Sequence, residues 1–254
     1  MPLTFPAHQA LVLPIKLRWP DRTDATALCV GAAAPDLLYA VPGIGAQGHS
    51  LLGALVVSVP LTLAICTLLR WRSALGVFAN LPDAGPFRVH SYRVIARRRL
   101  SWSTTLSSAV AGALSHIFID AFTHGGRWGS DLLRLDEVVV TLPVRGAVTG
   151  ARALQHLGHG LGSMIAIGLF FYIGRSRRLE QWYGSAAVTS ARTFTLSLES
   201  RVQFWGALTV VALLVTGGLS AAGGSMVFSV IDGFVVGALV AGALPAKQSV
   251  SANV

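Results

Sequence analysis

The feature that most constrains this chain is a series of apolar runs, each about as long as a bilayer is thick. Four runs cover residues 49–69, 102–122, 155–173 and 202–219, and a fifth covers 226–244. A helix needs about 20 mainly apolar residues to cross the hydrocarbon core. Only 12% of the residues are charged, against about 25% in a soluble domain. The sequence therefore predicts an all-α fold, a polytopic membrane helical bundle with four to six transmembrane helices.

Three shorter features add detail to this bundle. Residues 25–41 are apolar but close to the lower length limit for spanning, so we expect a short or partly inserted helix there, with Asp24 as its N-cap. Residues 6–18 suggest an amphipathic helix at the membrane interface. Pro60 predicts a kink in the first long helix.

The charge distribution predicts how the chain crosses the membrane. The formal charge of +9 comes from arginines that flank the apolar runs, which is typical of membrane topology rather than of a nucleic-acid groove. We therefore expect no nucleic-acid partner. The connections 70–101 and 174–201 carry seven and five Lys or Arg, against four in 123–154. The positive-inside rule then puts the first two, and the C-terminus with Lys247, in the cytoplasm of a cell (plasma) membrane.

Histidines and aspartates concentrate at the helix ends that this topology places outside. His116, Asp120 and His124 are spaced four residues apart, so they share one helix face. His49 opens the first long helix and His156 opens the third, both on that side. Imidazole and carboxylate groups are good ligands for zinc and similar ions. We therefore predict a metal site, with interhelical hydrogen bonds near the helix ends as the alternative.

Four further residues extend this candidate site. Asp36 lies inside the short apolar run, where a turn or capping role is the alternative to ligation. His8 precedes a basic stretch, and an ordinary surface position is its alternative. Arg127 and Trp128 lie just past the four-spaced set and could meet a phosphate and a lipid headgroup, or could simply anchor the chain at the interface.

The order of these motifs resembles a known family. They are Pro6-Ala7-His8, Ala34-Pro35-Asp36, His49-Ser50-Leu51, His116-x3-Asp120-x2-Thr123-His124 and Leu154-Gln155-His156. Together they resemble a bacterial membrane family of uncharacterised function, domain of unknown function 4184, over about residues 1–175. More distantly, the chain is similar to predicted membrane-bound metal-dependent hydrolases. We accordingly expect a helical membrane domain with the metal-site motifs over 1–175, and a cytoplasmic linker with two C-terminal transmembrane helices over 176–254.

The same order of residues is also similar to the zinc-dependent phospholipase C and single-strand nuclease fold. That resemblance implies one metal held by His49, His116 and Asp120, with Asp36 as a further ligand or as the catalytic base. It implies a second metal bridged from Asp120 to His8, and a third held by His124 and His156. The chain departs from the pattern at Gly160, where the family has an acid, and at Met1-Pro2, where it has a tryptophan. Two ions therefore fit the sequence better than three.

These observations lead to one expected function and two competitors. We expect a hydrolase that uses a divalent metal, zinc by preference, to cleave a phosphoester at the outer membrane face. Membrane lipid is the expected partner, and a lipid-linked phosphoester is one candidate substrate. The competitors are a metal or proton transporter that uses the same ligands transiently, and a non-catalytic membrane protein in which the cluster is structural.

Overall fold

The computed structural model describes residues 4–97, 100–143, 146–193 and 196–245. Lys247, one of the charges predicted to be cytoplasmic, lies outside these ranges, as do Arg98 and Arg99 of the basic connection and the Met1-Pro2 start. Within them the chain is helical nearly throughout, which confirms the all-α prediction.

The longer helices of the described ranges are labelled in chain order. They are α1 (Gln9–Arg18), α2 (Ala25–Leu37), α3 (Leu51–Asn80), α4 (Trp102–Thr123), α5 (Gly150–Arg175), α6 (Leu198–Ala221) and α7 (Met226–Gly242). Shorter helices cover Thr4–Ala7, Gly45–Gly48, Trp128–Leu132, Arg178–Tyr183 and Ser185–Arg192. Turns of 3-10 helix cover Leu38–Ala40, Gly85–Phe87 and Val89–Arg97.

Helices α3, α4, α5 and α6 are each long and apolar enough to cross a membrane. Helix α2 with its 3-10 extension, and helix α7, are apolar but shorter. The chain is therefore a helical membrane protein, and the predicted range of four to six membrane helices brackets what the structure contains.

Helix α3 is longer than its apolar run. It was predicted to end at residue 69, but it continues to Asn80 through two π-helical segments, Ala54–Ser58 and Leu69–Ser73. The first of these ends directly before Val59-Pro60, where the sequence predicts a kink. At 30 residues the helix measures about 45 Å against a hydrocarbon core of about 30 Å. The apolar run therefore ends before the helix does, because the backbone hydrogen bonds continue past residue 69.

The connection 123–154 is more ordered than the sequence suggested. Helix α5 begins at Gly150 instead of residue 155, and strands β1 (Val138–Leu142) and β2 (Gly146–Thr149) form an antiparallel hairpin. Every residue of β1 is exposed. The β-branched run Val138-Val-Val-Thr favours a strand. Because the run is short and has charged neighbours, it was interpreted from the sequence as part of a loop.

The chain divides into two compact units that interleave along the sequence. The first consists of Met1–Asp36, Ala46–Thr62 and Ser103–Leu169. The second consists of Leu37–Gly45, Leu63–Trp102 and Phe170–Val254. The division expected at residue 175 rested on motif content, and it stays a prediction.

The first unit is built on close contact between α2 and α4. A Cβ atom at Gly31 would lie 2.6 Å from the carbonyl oxygen of Ala109, and one at Gly112 would lie 2.4 Å from that of Leu28. Only glycine permits this approach of the two backbones. Asp24 caps α2 as predicted, since its Oδ1 accepts from the backbone N–H groups of Thr26 and Ala27.

Helix α1 also belongs to the first unit and departs from its expected character. Val12 is fully buried against Leu28 and Ala32 of α2. Lys16, near the C-terminal end of this helix, is 1% exposed, and its Nζ donates to the carbonyl oxygens of Pro20 and Thr23. This lysine ties down the turn after α1 instead of reaching outward.

In the second unit, α6 and α7 pack through small residues. Gly233 and Gly237, the glycines of a GxxxG pattern, lie close to the α6 backbone at Ala212 and Leu208. The pattern therefore serves helix packing within the chain. A separate polar cluster holds the connection after α3, where Arg192 Nη2 lies 2.6 Å from Asp83 Oδ2.

Candidate metal centre

Five of the predicted site residues lie together inside the first unit, and all five are buried. Asp36 lies near the end of α2, and His49 directly precedes the Ser50 that caps α3. His116 and Asp120 lie one turn apart on α4, and His8 directly precedes α1. Side chains from four separated segments therefore converge, as the sequence predicts.

Four side-chain atoms form the centre of this group. His49 Nε2 lies 3.2 Å from His116 Nε2, 3.4 Å from Asp36 Oδ1 and 3.7 Å from Asp120 Oδ2. His116 Nε2 lies 3.7 Å from the same Asp36 oxygen and 3.5 Å from the same Asp120 oxygen. Ligand atoms bound tetrahedrally to zinc, at bond lengths of 2.0–2.2 Å, lie about 3.3–3.6 Å apart. These five spacings lie close to that range, and His49, His116 and Asp120 form a group with metal-ligand geometry, with Asp36 Oδ1 next to both imidazoles.

A backbone contact sets the direction in which His116 can bind. Its Nδ1 lies 2.8 Å from the carbonyl oxygen of Ala32 on α2. Since a carbonyl only accepts, Nδ1 carries a proton, and in the neutral form of the ring Nε2 then presents its lone pair to the cluster. A histidine that ligates a metal typically donates its other nitrogen in this way. No sequence signal could have identified Ala32, because the contact uses only its backbone.

The charges of the cluster also favour a cation. Two carboxylates are buried here, and burying ionised groups is costly unless they are paired or bound to a metal. Asp36 Oδ2 is buried and has no hydrogen-bond partner among the described residues. A positive ion among the four atoms would compensate the negative charge of the two carboxylates.

His8 flanks this centre. Its ring stacks on His116 with centroids 4.0 Å apart, and its Nε2 lies 4.0 Å from Asp36 Oδ2. Burial, with His116 alongside, lowers the pKa of His8 to about 3, so the ring is neutral and able to act as a ligand. His8, Asp36 and His116 form a second group of metal-ligand geometry. Both groups use His116, and the one nitrogen of His116 that faces the cluster can bind only one ion. The second predicted ion was to be bound by His8 and Asp120, whereas the structure pairs His8 with Asp36.

The remaining predicted ligands, His124 and His156, are not brought together. Half-buried His124 points Nδ1 at Asp120 Oδ1, 3.5 Å away, and its Nε2 lies 2.9 Å from the amide nitrogen of Gln155. Burial lowers the pKa of His124, although Asp120 opposes that shift. His156 donates from Nδ1 to the carbonyl of Arg152, 2.6 Å away on its own helix. Among the described residues these two histidines form no group with metal-ligand geometry.

Two neighbouring residues have separate roles. Arg127 Nη1 donates to the backbone carbonyl of His49, 3.3 Å away, and so holds the segment that carries this ligand. Trp128 packs on Phe122, with ring centroids 5.2 Å apart, while more than half of its surface stays exposed. That combination is typical of an interfacial tryptophan.

A cavity of about 230 Å³ adjoins the centre. Its polar lining consists of His8, Asp120, Thr123, Gln155 and His159. His8 and Asp120 thus belong to both the cluster and the cavity wall. The arrangement can hold a divalent ion beside a space open to a small polar group.

Comparison with the curated proteins and with the solved structures found no match. The family comparison matched residues 1–243, so the likeness runs well past the motif-bearing residues 1–175 on which it was first noted. The chain belongs to the family described as "Domain of unknown function (DUF4184)".

Proposed function

We propose that this protein is a metal-dependent hydrolase that cleaves a phosphoester at the outer face of the plasma membrane. The observation that carries the proposal is the set of four donor atoms, from Asp36, His49, His116 and Asp120, which lie beside a cavity. Four protein donors alone would make a closed, structural site, so catalysis requires the ion to take a water or a substrate oxygen from the cavity as an additional ligand. Two imidazoles with two carboxylates favour zinc among the common divalent ions.

The bound cation would supply Lewis acidity and lower the pKa of a coordinated water. The chain's own residues would position the reactants. Asp36 is proposed as a ligand rather than as the base, because its Oδ1 lies in the donor set and the residue is not among those lining the cavity. His159 lines the cavity and is not one of the four donors, so it is the proposed proton-transfer residue.

The outer orientation rests on charge and on chain direction. Asp120 lies near the end of α4, Gln155 lies near the start of α5, and His49 precedes α3. In the proposed topology these helix ends lie on one side of the membrane, and the arginine-rich connections follow the opposite ends. The positive-inside rule supports placing the cluster outside.

The test begins with metal content. Protein purified in detergent should carry one zinc ion per chain, and His116→Ala and Asp120→Asn should each remove it. His90→Gln is the matched control, because His90 lies in the second unit, where it contacts Leu81 and Asp83. A native protein without stoichiometric divalent metal would show that the cluster is structural.

Hydrolysis is then measured on bis(p-nitrophenyl) phosphate. We expect activity that chelation abolishes and zinc restores, and that His159→Ala reduces without loss of metal. Full metal occupancy with no hydrolysis, together with zinc flux into reconstituted vesicles, would favour the transporter instead.

A further inference from the structure

The cavity follows one face of α5 into the membrane. Five of its lining residues lie on this helix, spaced three residues apart except for the adjacent pair Gly158 and His159, namely Gln155, Gly158, His159, Gly162 and Ile165. From Gln155 to Ile165 the helix rises about 15 Å. Since α5 begins at Gly150, the cavity runs from near the membrane surface to about the middle of a 30 Å hydrocarbon core.

The lining changes from polar to apolar along this path. Asp120 and Thr123 of α4 line the same space as Gln155 and His159, at the end nearest the membrane surface. At the deeper end Ile165 lines it and is 53% exposed on the surface of the protein. A residue exposed at that depth of a spanning helix faces lipid. The cavity therefore joins a polar site to the hydrocarbon of the bilayer.

Gly158 keeps the middle of this path open. It lines the cavity, and a Cβ atom there would meet nothing within 4 Å. By contrast, a Cβ atom at Gly162 would lie 3.0 Å from Ala7, so the helix touches the N-terminal segment at that point. A larger side chain at residue 158 would occupy the cavity without displacing the backbone of a neighbouring segment.

The volume limits what can enter. A cavity of about 230 Å³ is smaller than the pockets of about 300–1,000 Å³ that enclose most of a drug-sized ligand. A phosphate headgroup and the first few methylenes fill that space, and the rest of a long chain would have to remain in the bilayer. Neither a wholly polar nor a wholly apolar ligand matches both ends of the lining.

We infer that the cavity binds an amphiphile from within the bilayer, with its phosphate beside Asp120 and His159 and its alkyl chain passing Gly158 toward Ile165. This assignment deepens the proposed function, because it makes the substrate a membrane-resident phosphoester that enters sideways. Binding itself does not require hydrolysis, so it can be tested separately.

The experiment uses the full chain in phosphatidylcholine vesicles and a dodecyl phosphate with a diazirine in its alkyl chain. After illumination, mass spectrometry should locate the label on the cavity face of α5. Gly158→Leu should lower that labelling about tenfold, since filling the space excludes the chain. Gly168→Leu is the matched control, because residue 168 lies on the same helix, also has nothing within 4 Å, and does not line the cavity.

Competition identifies which part of the ligand is recognised. Unlabelled dodecyl phosphate should displace the probe, whereas inorganic phosphate and dodecanol should each do so poorly. Equal labelling in Gly158→Leu and native protein, or displacement by inorganic phosphate alone, would overturn the inference. Labelling that depends on Gly158 in a protein without hydrolase activity would refute the proposed function and leave the binding site standing. Hydrolysis of bis(p-nitrophenyl) phosphate without such labelling would refute the binding site and leave the proposed function standing.

Discussion

Gly112→Ala should disrupt metal binding even though residue 112 is not one of the proposed ligands. The added Cβ atom would lie 2.4 Å from the carbonyl oxygen of Leu28, where ordinary van der Waals contact begins at 3.4 Å. The obstacle is backbone, which cannot rotate away, so α2 and α4 must separate by about 1 Å.

That separation acts directly on the cluster, because the two helices carry different ligands. The distance from Asp36 Oδ1 on α2 to His116 Nε2 on α4, now 3.7 Å, would rise to about 4.7 Å, whereas one ion with bonds of about 2.1 Å spans at most about 4.2 Å. The hydrogen bond from His116 to Ala32, now 2.8 Å, would stretch beyond the bonding range. Loss of such an outer contact typically lowers metal affinity about 10–100-fold, and loss of Asp36 as a ligand lowers it further.

Zinc affinity can be measured by competition with a chromogenic chelator at pH 7, on protein that elutes as a single symmetric peak in detergent. Gly168→Ala supplies the control, since a Cβ atom at that position meets nothing within 4 Å. A Gly112→Ala protein that binds zinc within about twofold of the native affinity would refute the reasoning, because it would mean that the contact between α2 and α4 does not set the ligand spacing.

Three further predictions test other parts of the structure. Asp24→Ala should destabilise the protein by about 1–3 kcal/mol in thermal unfolding, because it removes the cap of α2 and the acceptor for Thr105 Oγ1; Asp24→Asn, which keeps a capping oxygen, should cost less. His124→Ala should retain one zinc per chain by mass spectrometry, since this half-buried ring contacts Asp120 from outside the donor set; loss of the ion would make it a ligand. Burial alone would raise the pKa of Asp83, but the backbone N–H of His90 and the guanidinium of Arg192 hold that pKa below its usual range. The ionised Asp83 carboxylate therefore contributes its full stabilisation above about pH 4, and this stabilisation is lost as the pH falls through the lowered pKa. In a plot of the thermal midpoint against pH, Asp83→Asn should reduce the decrease at acid pH.

The sequence predicted the spacing-dependent part of the site. The four-residue interval from His116 to Asp120 puts both on one face of any helix, and the direction of successive spans brings His49 to the same end. These inferences succeed because helical periodicity and membrane crossing are local properties of the chain. The prediction that Asp24 caps α2 is confirmed for the same reason, because capping also depends on local sequence.

Other parts of the site depend on tertiary contacts that no local pattern encodes. The carbonyl of Ala32 orients His116 only because α2 and α4 touch, and His156 turns to its own helix instead of to His124. The extension of α3 to Asn80 was hidden because hydropathy reports the membrane boundary and not the end of the hydrogen-bonded helix. The hairpin at 138–149 was hidden because its strand signal is short.

That hairpin carries a practical consequence for handling the protein. Val138, Val139, Val140 and Leu142 of β1 are all substantially exposed, and the ribbon joins the ends of two membrane-crossing helices. Within the described residues the sheet has two strands, so each offers an unpaired edge that can recruit a neighbour. A small detergent that covers only the hydrophobic surface of the membrane helices would leave this hairpin exposed and promote aggregation during extraction. A lipid nanodisc, whose headgroup layer reaches the ribbon, should keep the preparation dispersed.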